Sequence, residues 1–345
     1  MKCTTIAVDL AKTVFEVAVS EQPGKVSARR RLRRNAFASY FAGRTPCLVV
    51  MEACGTAHHW GRQLAAMGHE VILVPPHEVR PYVKGNKTDR ADAKGILEAF
   101  RNEDIRPVPV KTETQQALTA QHRIRSAWMK TRTSRLNLLR GVLREFGIVI
   151  PLGSGQVVPR VQSLLADHEL PLTAGLRVEL KELCDDILAL ESKIQAAEKE
   201  LSRVAEQDET VRRLRSVPGI GLLTATALVA FIGDILRFPS GRHFASFLGL
   251  TPKESSSGST RRLGRITKRG DKYLRMLLVH GARSALLHAK RMKEPDGLRA
   301  WALEVEKREG HNKATVALAN KLARIAWAVW SREENFESRP VEKAA

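Results

Sequence analysis

Four carboxylates raise the first question of chemistry. Asp9 follows an apolar stretch, Glu52 closes the apolar run at 47–51, and Asp89 and Asp92 stand three apart in TDRADAKGILEAFR, residues 88–101. Residues three apart share one helix face. Acids at the ends of neighbouring strands, joined by one helix edge, can converge on a point. Converging like charges raise one another's pKa, and the cluster is costly without a counter-ion. Magnesium removes that cost, because it is a hard ion that prefers carboxylate oxygens. Four acids suffice for two such ions, which can clamp the attacking and leaving oxygens of a phosphodiester. Local roles compete: Asp89 could cap its helix, Asp92 could favour the helix N-terminal dipole, and Asp9 could sit in a turn. Strand–Asp, strand–Glu and a helical DxxD in one basic chain favour the metal site, since acids are seldom buried without partners.

The elements that must position these acids are legible. Residues 3–8 and 14–19 read as strands around a turn too short for a crossover helix, so a hairpin is expected. A basic stretch, Arg29-Arg30-Arg31-Leu32-Arg33-Arg34, follows. Residues 47–51 read as a buried strand, 58–67 as a helix, 69–74 as a strand stopped by Pro75-Pro76, and 88–101 as a helix capped by Thr88 or Asp89. This order predicts an α/β domain with a mixed sheet over 1–111.

Composition sets the frame. The chain has 345 residues, 57 Lys+Arg against 37 Asp+Glu and a formal net charge of +20, with 43% apolar residues. It is long enough for two or three domains with real cores and too apolar for a disordered polycation. The charge calls for a polyanionic partner, and nucleic acid leads because the charge lies in folded-looking segments. No apolar run reaches the length of a membrane span, so no membrane partner is expected, and the N-terminus does not read as a signal peptide. Four scattered cysteines, Cys3, Cys47, Cys54 and Cys184, point to a reducing compartment rather than a zinc ribbon or a disulfide scaffold.

Residues 112–210 read as helical. From Thr114 to Arg144 there is no acid, but there are Arg123, Arg125, Lys130, Arg132, Arg135, Arg140 and Arg144, which makes this helix a candidate for nucleic-acid backbone contact. Leu180, Leu183, Ile187, Leu190, Ile194, Ala197, Leu201 and Val204 recur at steps of three and four, the seam of a coiled coil whose partner could lie in the same chain or another. Residues 211–333 form a third, mainly helical segment, with a polar tail at 334–345 expected to be flexible. Ser216-Val217-Pro218-Gly219-Ile220-Gly221 resembles a helix–hairpin–helix turn. Gly219, Gly221 and the next helix N-terminus could offer N–H groups to phosphate, or form a plain turn. A basic run follows with Arg261, Arg262, Arg265, Lys268, Arg269, Lys272 and Arg275 against Asp271 alone. Only 5% of residues are aromatic, so base stacking is not expected to dominate.

Several blocks resemble one family. Val8-Asp9-Leu10-Ala11-Lys12, the stretch from Met51-Glu52 through Ala57-His58-His59-Trp60, and Asn86-Lys87-Thr88-Asp89-Arg90-Ala91-Asp92-Ala93 are similar to the DEDD transposases of bacterial insertion sequences. These belong to the one-hundred-and-ten family, and AHHW resembles its eleven-eleven subgroup. The likeness continues through Ser216 to Gly221, Phe244 to Pro252, Ser257-Gly258-Ser259 and Arg265 to Gly270. It implies a ribonuclease-H-like, resolvase-type N-terminal domain with Asp9, Glu52, Asp89 and Asp92 as metal ligands, a coiled-coil region, and a C-terminal transposase domain with a serine nucleophile. It further implies a tetramer with composite active sites, and a structured bridge RNA that pairs with donor and target double-stranded DNA. The setting would be cytoplasmic, at the bacterial nucleoid.

The candidate serine lies in a hydroxyl-rich stretch. Residues 253–260 hold five hydroxyl side chains around Gly258, a composition that by itself describes a polar loop. The resemblance selects Ser257. Metal activation by the acids is the expected route, since no serine–histidine pair is legible. Arg261, Arg262 and Arg265 could stabilise the pentavalent transition state or only bind backbone. Two rivals stand: a junction-resolving nuclease in which water attacks, and a non-enzymatic architectural DNA- or RNA-binding protein.

Overall fold

The computed structural model describes residues 4–22, 25–83, 88–167 and 169–338, without the side chain of Asp89. Cys3, Asn86, Lys87, the Asp89 carboxylate and residues 339–345 of the expected tail therefore lie outside the described residues. The chain divides into two compact units, 1–116 and 117–345.

The first unit is built on a five-stranded sheet in the order β3-β2-β1-β4-β5. Its strands are β1 (Thr5–Leu10), β2 (Val14–Ser20), β3 (Ala28–Arg33), β4 (Leu48–Glu52) and β5 (Glu70–Val74). β2 runs antiparallel to both of its neighbours, β1 and β3, while β4 runs parallel to β1 and to β5, so the expected hairpin sits within a mixed sheet. Alternation sorts the side chains. Ile6, Val8, Phe15, Val17, Val49 and Met51 face α1 (Phe37–Ala42) and α2 (Ala57–Ala66), where Phe37, Phe41, Trp60 and Leu64 complete a core. Phe15 meets Phe37 edge-on at 4.8 Å between ring centroids. The opposite face carries Ala7, Ala18, Val50 and Val74 and packs on α3 (Pro76–Val79) and α4 (Asp89–Phe100) through Val79, Ala93, Ile96 and Leu97. Thr88 caps α4, its Oγ1 accepting from the Ala91 N–H at 3.2 Å. The basic stretch is itself a strand: β3 holds the sheet edge with arginines, a composition that discourages edge-to-edge pairing.

The second unit is mainly helical. α5 (Glu113–Glu145), α6 (Val157–Leu165) and α7 (Ala174–Gln207) come first. The seam of α7 finds its partner in the same chain, because α5 runs antiparallel beside it. The buried positions of α7 are Leu180, Cys184, Ile187, Ile194, Leu201 and Ala205. Leu183 and Val204 pack half-buried on the neighbouring cores, and Leu190 and Ala197 are half-buried, while the deepest burial beside the first and last lies one residue on, at Cys184 and Ala205. Glu191 and Glu198 continue the observed spacing, and α5 answers them with Arg132 and Arg125. Arg132 Nε donates to Glu191 at 2.7 Å, Arg125 Nε to Glu198 at 2.8 Å and Arg135 Nε to Asp186 at 2.9 Å. Apolar layers close both ends: Leu136, Leu139 and Leu143 with α6 and the start of α7, and Leu118 with Leu201 and Ala230.

The remaining elements are α8 (Glu209–Arg215), α9 (Leu222–Ile232), α10 (Gly241–Phe247), strands β6 (Pro252–Glu254) and β7 (Leu263–Ile266), α11 (Lys272–Ala289), α12 (Gly297–Glu309) and α13 (His311–Arg332). The helices enclose one large core that includes Leu228, Phe244, Leu278, Leu286, Leu318 and Leu322. The tail is not free where it is described: Phe336 packs on this core and its N–H donates to Ser216 Oγ at 2.8 Å.

Candidate functional site

The sheet register assembles the acids. Asp9 lies directly opposite Glu16 in the β1–β2 ladder, so both side chains leave the same face. Val8 pairs with Met51 in the parallel ladder, and the next step of that register sets Asp9 beside Glu52. Glu16, Asp9 and Glu52 thus form a row across three adjacent strands. It lies on the face that α4 covers, at the carboxyl end of the parallel pair β1–β4. Asp92, half-buried, sits one residue before the buried Ala93, on the first turns of that helix. The sequence reading brought Asp9, Glu52, Asp89 and Asp92 to one region but missed Glu16, which is only 9% exposed and has no hydrogen bond or ion pair among the described residues. Across the ladder Glu16 faces Arg31, and Arg29, Arg30 and Arg90 line the same cleft.

Among the described residues no three acidic, histidine or cysteine side chains converge closely enough to hold an ion. The expected set includes the Asp89 carboxylate, which lies outside what is described. The donors are all carboxylate oxygens, the chemistry that suits a hard divalent cation such as magnesium.

Ser257 occupies a defined turn rather than a floppy loop. β6 and β7 pair antiparallel, and Ser257 and Thr260 exchange backbone hydrogen bonds of 3.2 and 3.1 Å around Gly258-Ser259. Gly258 has φ 55°, a conformation that glycine adopts at no steric cost, and open space around its Cα. Ser257 is exposed at this tip. Its neighbour Ser256 is engaged: its Oγ donates to Glu254 at 2.8 Å and accepts from the Arg262 N–H at 3.2 Å. Hydrogen bonds from Ser256 and then Arg261 hold the Glu254 carboxyl below its ordinary pKa. The foot of the hairpin is pinned. Lys268, with φ 54°, donates its N–H to the Gly249 carbonyl at 3.1 Å, and Arg275 Nη1 bonds the carbonyls of Leu248 and Arg269 at 3.0 and 2.9 Å.

The expected nucleic-acid contacts separate into paired and open groups. Arg125, Arg132 and Arg135 are paired with the acids of α7. Arg123 and Lys130, on the other side of α5, are exposed, as are Arg262, Arg265, Lys268, Arg269 and Lys272. Arg261 pairs with Glu254 at 3.2 Å on the surface. Gly219 has a packing role as well: with φ 89°, it lies so close to α11 that a Cβ there would stand 2.8 Å from the Gly281 carbonyl oxygen. Gly221 is the exposed N-cap of α9, with no side-chain cap.

Comparison with known proteins identifies the family. The family model for DEDD transposases of IS110 type, described as "Transposase", matches residues 6–148. A second, described as "Transposase IS116/IS110/IS902 family", matches residues 211–295. The chain is 42% identical over 334 residues to a probable family 20 transposase of Pseudomonas aeruginosa, covering 96% of this chain and 98% of that protein. It is 40% identical over 331 residues to the transposase for insertion sequence element IS1111A of Coxiella burnetii, with 96% and 90% covered. It is 38% identical over 339 residues to the transposase for IS1328 of Yersinia enterocolitica, with 96% and 98% covered. Among the described residues no helix is long and apolar enough to cross a membrane. The chain belongs to the IS110/IS116/IS902 family of insertion-sequence transposases, enzymes of DNA recombination.

Proposed function

We propose that this transposase, of the IS1111 subgroup, cuts and rejoins DNA through a phosphoserine bond. In this reading Asp9, Glu52, Asp89 and Asp92 hold magnesium on a ribonuclease-H-like sheet. The observation that carries it is the acid row at the carboxyl end of β1 and β4, facing the first turns of α4. Bound there, two magnesium ions would supply the positive charge that makes a phosphodiester reactive. The chain's own parts do the rest. Ser257 Oγ attacks the scissile phosphorus, an Oγ–P bond forms, and the bridging P–O bond breaks to release a free DNA hydroxyl. A hydroxyl from the other DNA then attacks the phosphoserine, restoring the serine and sealing the new junction. The number of ester bonds is conserved, so the exchange needs no external energy source. Exposed Arg262 and Arg265 would bind the phosphate backbone near the tip.

A structured bridge RNA would select donor and target DNA. A protein with few aromatic residues and many cations suits backbone binding with sequence choice delegated to base pairing. The assembly would be a homotetramer in the bacterial cytoplasm, at the nucleoid. Ser257→Ala and Ser256→Ala, each incubated with element-end DNA, RNA and magnesium, test the nucleophile by trapping of protein–DNA adducts. Adducts lost in Ser257→Ala and kept in Ser256→Ala support the reading. Adducts that persist in Ser257→Ala, or cleavage with no adduct in the wild type, turn it to another serine or to water.

A further inference from the structure

The edge strand β3 carries Arg29, Arg31 and Arg33 at every second position, with Arg30 and Leu32 between them. Register fixes where they sit. Arg31 lies opposite Glu16, Arg29 opposite Ala18 and Arg33 opposite Val14, so the three leave the sheet on the face of Glu16 and Asp9. Leu32, in the other phase, packs into the opposite core beside Phe15 and Val17. One cross-sheet row therefore reads Arg31, Glu16, Asp9, Glu52. With strands about 4.8 Å apart, Arg31 stands roughly 10 Å from Asp9, about two strand spacings. Along β3 the arginines follow at roughly 6.8 Å, two strand residues.

None of the five arginines from Arg29 to Arg34 forms an ion pair among the described residues. This contrasts with Arg125, Arg132 and Arg135, all of which are matched to acids within the α5–α7 pair. Arg29 gives one N–H to the Arg90 carbonyl at 3.1 Å, and Arg34 lies over the rings of Phe15 and Trp60. Arg29, Arg30 and Arg31 wall a cleft of about 460 Å³ with Arg90, Thr88 and the buried Glu16. Cations crowded along one edge beside a single carboxylate repel one another, and a polyanion relieves that repulsion. The fold needs no such charge at an edge strand, where one or two lysines would suffice to block pairing.

We propose that Arg29, Arg31 and Arg33 form a track for the backbone of the DNA strand being cut, gripping phosphates next to the one presented to Asp9 and Glu52. This rests on the reading of the acid row as the cutting site and adds the surface that delivers DNA to it. Arginine suits the task, because its planar fork bonds phosphate oxygens two at a time. The contact reads no bases and sets the position of the strand.

The test uses the full chain freed of nucleic acid and a labelled element-end duplex, with affinity followed from 50 to 200 mM salt. In Arg31→Gln/Arg33→Gln the slope of log affinity against log salt should fall by about 1.8, two phosphate contacts at 0.9 each. The wild type should then lose roughly tenfold more affinity than the variant across that range. Arg31→Lys/Arg33→Lys should keep the wild-type slope, and so should Arg44→Gln, which sits beside Tyr40 on the other side of the sheet. An unchanged slope in the Gln variant overturns the track, as does a loss seen only with a structured RNA and not with the duplex. Cutting assays separate this from the underlying reading. If wild type cuts DNA, Asp9→Asn does not, and the Gln variant binds and cuts normally, the track alone is wrong. If wild type cuts under no metal condition while the Gln variant still loses its slope, the cutting site is wrong and the track stands.

Discussion

Gly219 and Gly281 meet backbone to backbone: a Cβ on Gly281 would lie 1.9 Å from the Gly219 carbonyl oxygen. The turn that resembles a phosphate-binding hairpin is thereby locked onto α11 before it touches any ligand. Gly281→Ala should lower stability by about 3 kcal/mol or more, since the clash is with rigid main chain. Gly264→Ala, where the nearest atom is 3.8 Å away, should leave the melting temperature nearly unchanged. Thermal unfolding of both variants checks the contrast. Equal melting temperatures would show that the α9–α11 approach is looser than described.

The charged rungs between α5 and α7 should behave as pairs. Glu191→Ala leaves the largely buried Arg132 without its acceptor and should cost about 1–3 kcal/mol. Arg132→Leu/Glu191→Leu should recover most of that loss, because an apolar layer can replace a buried ion pair at little cost. A double-mutant cycle by urea unfolding measures the coupling, and strict additivity would contradict the pairing.

His122 makes stability pH-dependent. Burial, and then the nearby Arg125 charge, push its pKa down from 6.5 to about 4. Thr226 commits its hydroxyl proton to the Leu222 carbonyl at 2.7 Å, so His122 Nε2 donates to Thr226 and Nδ1 accepts from Tyr273, each at 3.1 Å. The folded ring stays neutral while the unfolded one takes a proton first. Stability from this residue is full above pH 6.5 and falls as the pH drops towards 4, by about 3 kcal/mol in all. His122→Gln should flatten that part of the profile in unfolding experiments run between pH 7 and 4.5.

The sequence carried the elements well where one physical signal dominated. Apolar runs marked β4 and β5, and of the two expected caps of α4, Thr88 and Asp89, the 3.2 Å bond selects Thr88. It misled where two signals competed. Leu183 and Val204 do pack on the cores, yet burial is deeper at Cys184 and Ala205, and beside Leu190 and Ala197 the acids Glu191 and Glu198 face arginines. A reading by hydrophobicity cannot see a seam stabilised partly by charge. β3 escaped notice because four arginines hide a strand's period of two, and Glu16 because nothing local shows that it will lie opposite Asp9. That adjacency is a property of register, which pairs residues distant in kind as well as in sequence.

The antiparallel rungs of α5 and α7 also constrain how this transposase can change over time. The 33 residues of α5 run to roughly 50 Å at 1.5 Å per residue, and each rung couples a fixed height on one helix to a fixed height on the other. Losing four residues from the start of α7 alone would set Arg125, Arg132 and Arg135 beside uncharged neighbours. Insertions and deletions can survive here only when both arms shorten or lengthen in step, so the hairpin acts as a molecular ruler whose graduations are written in charge.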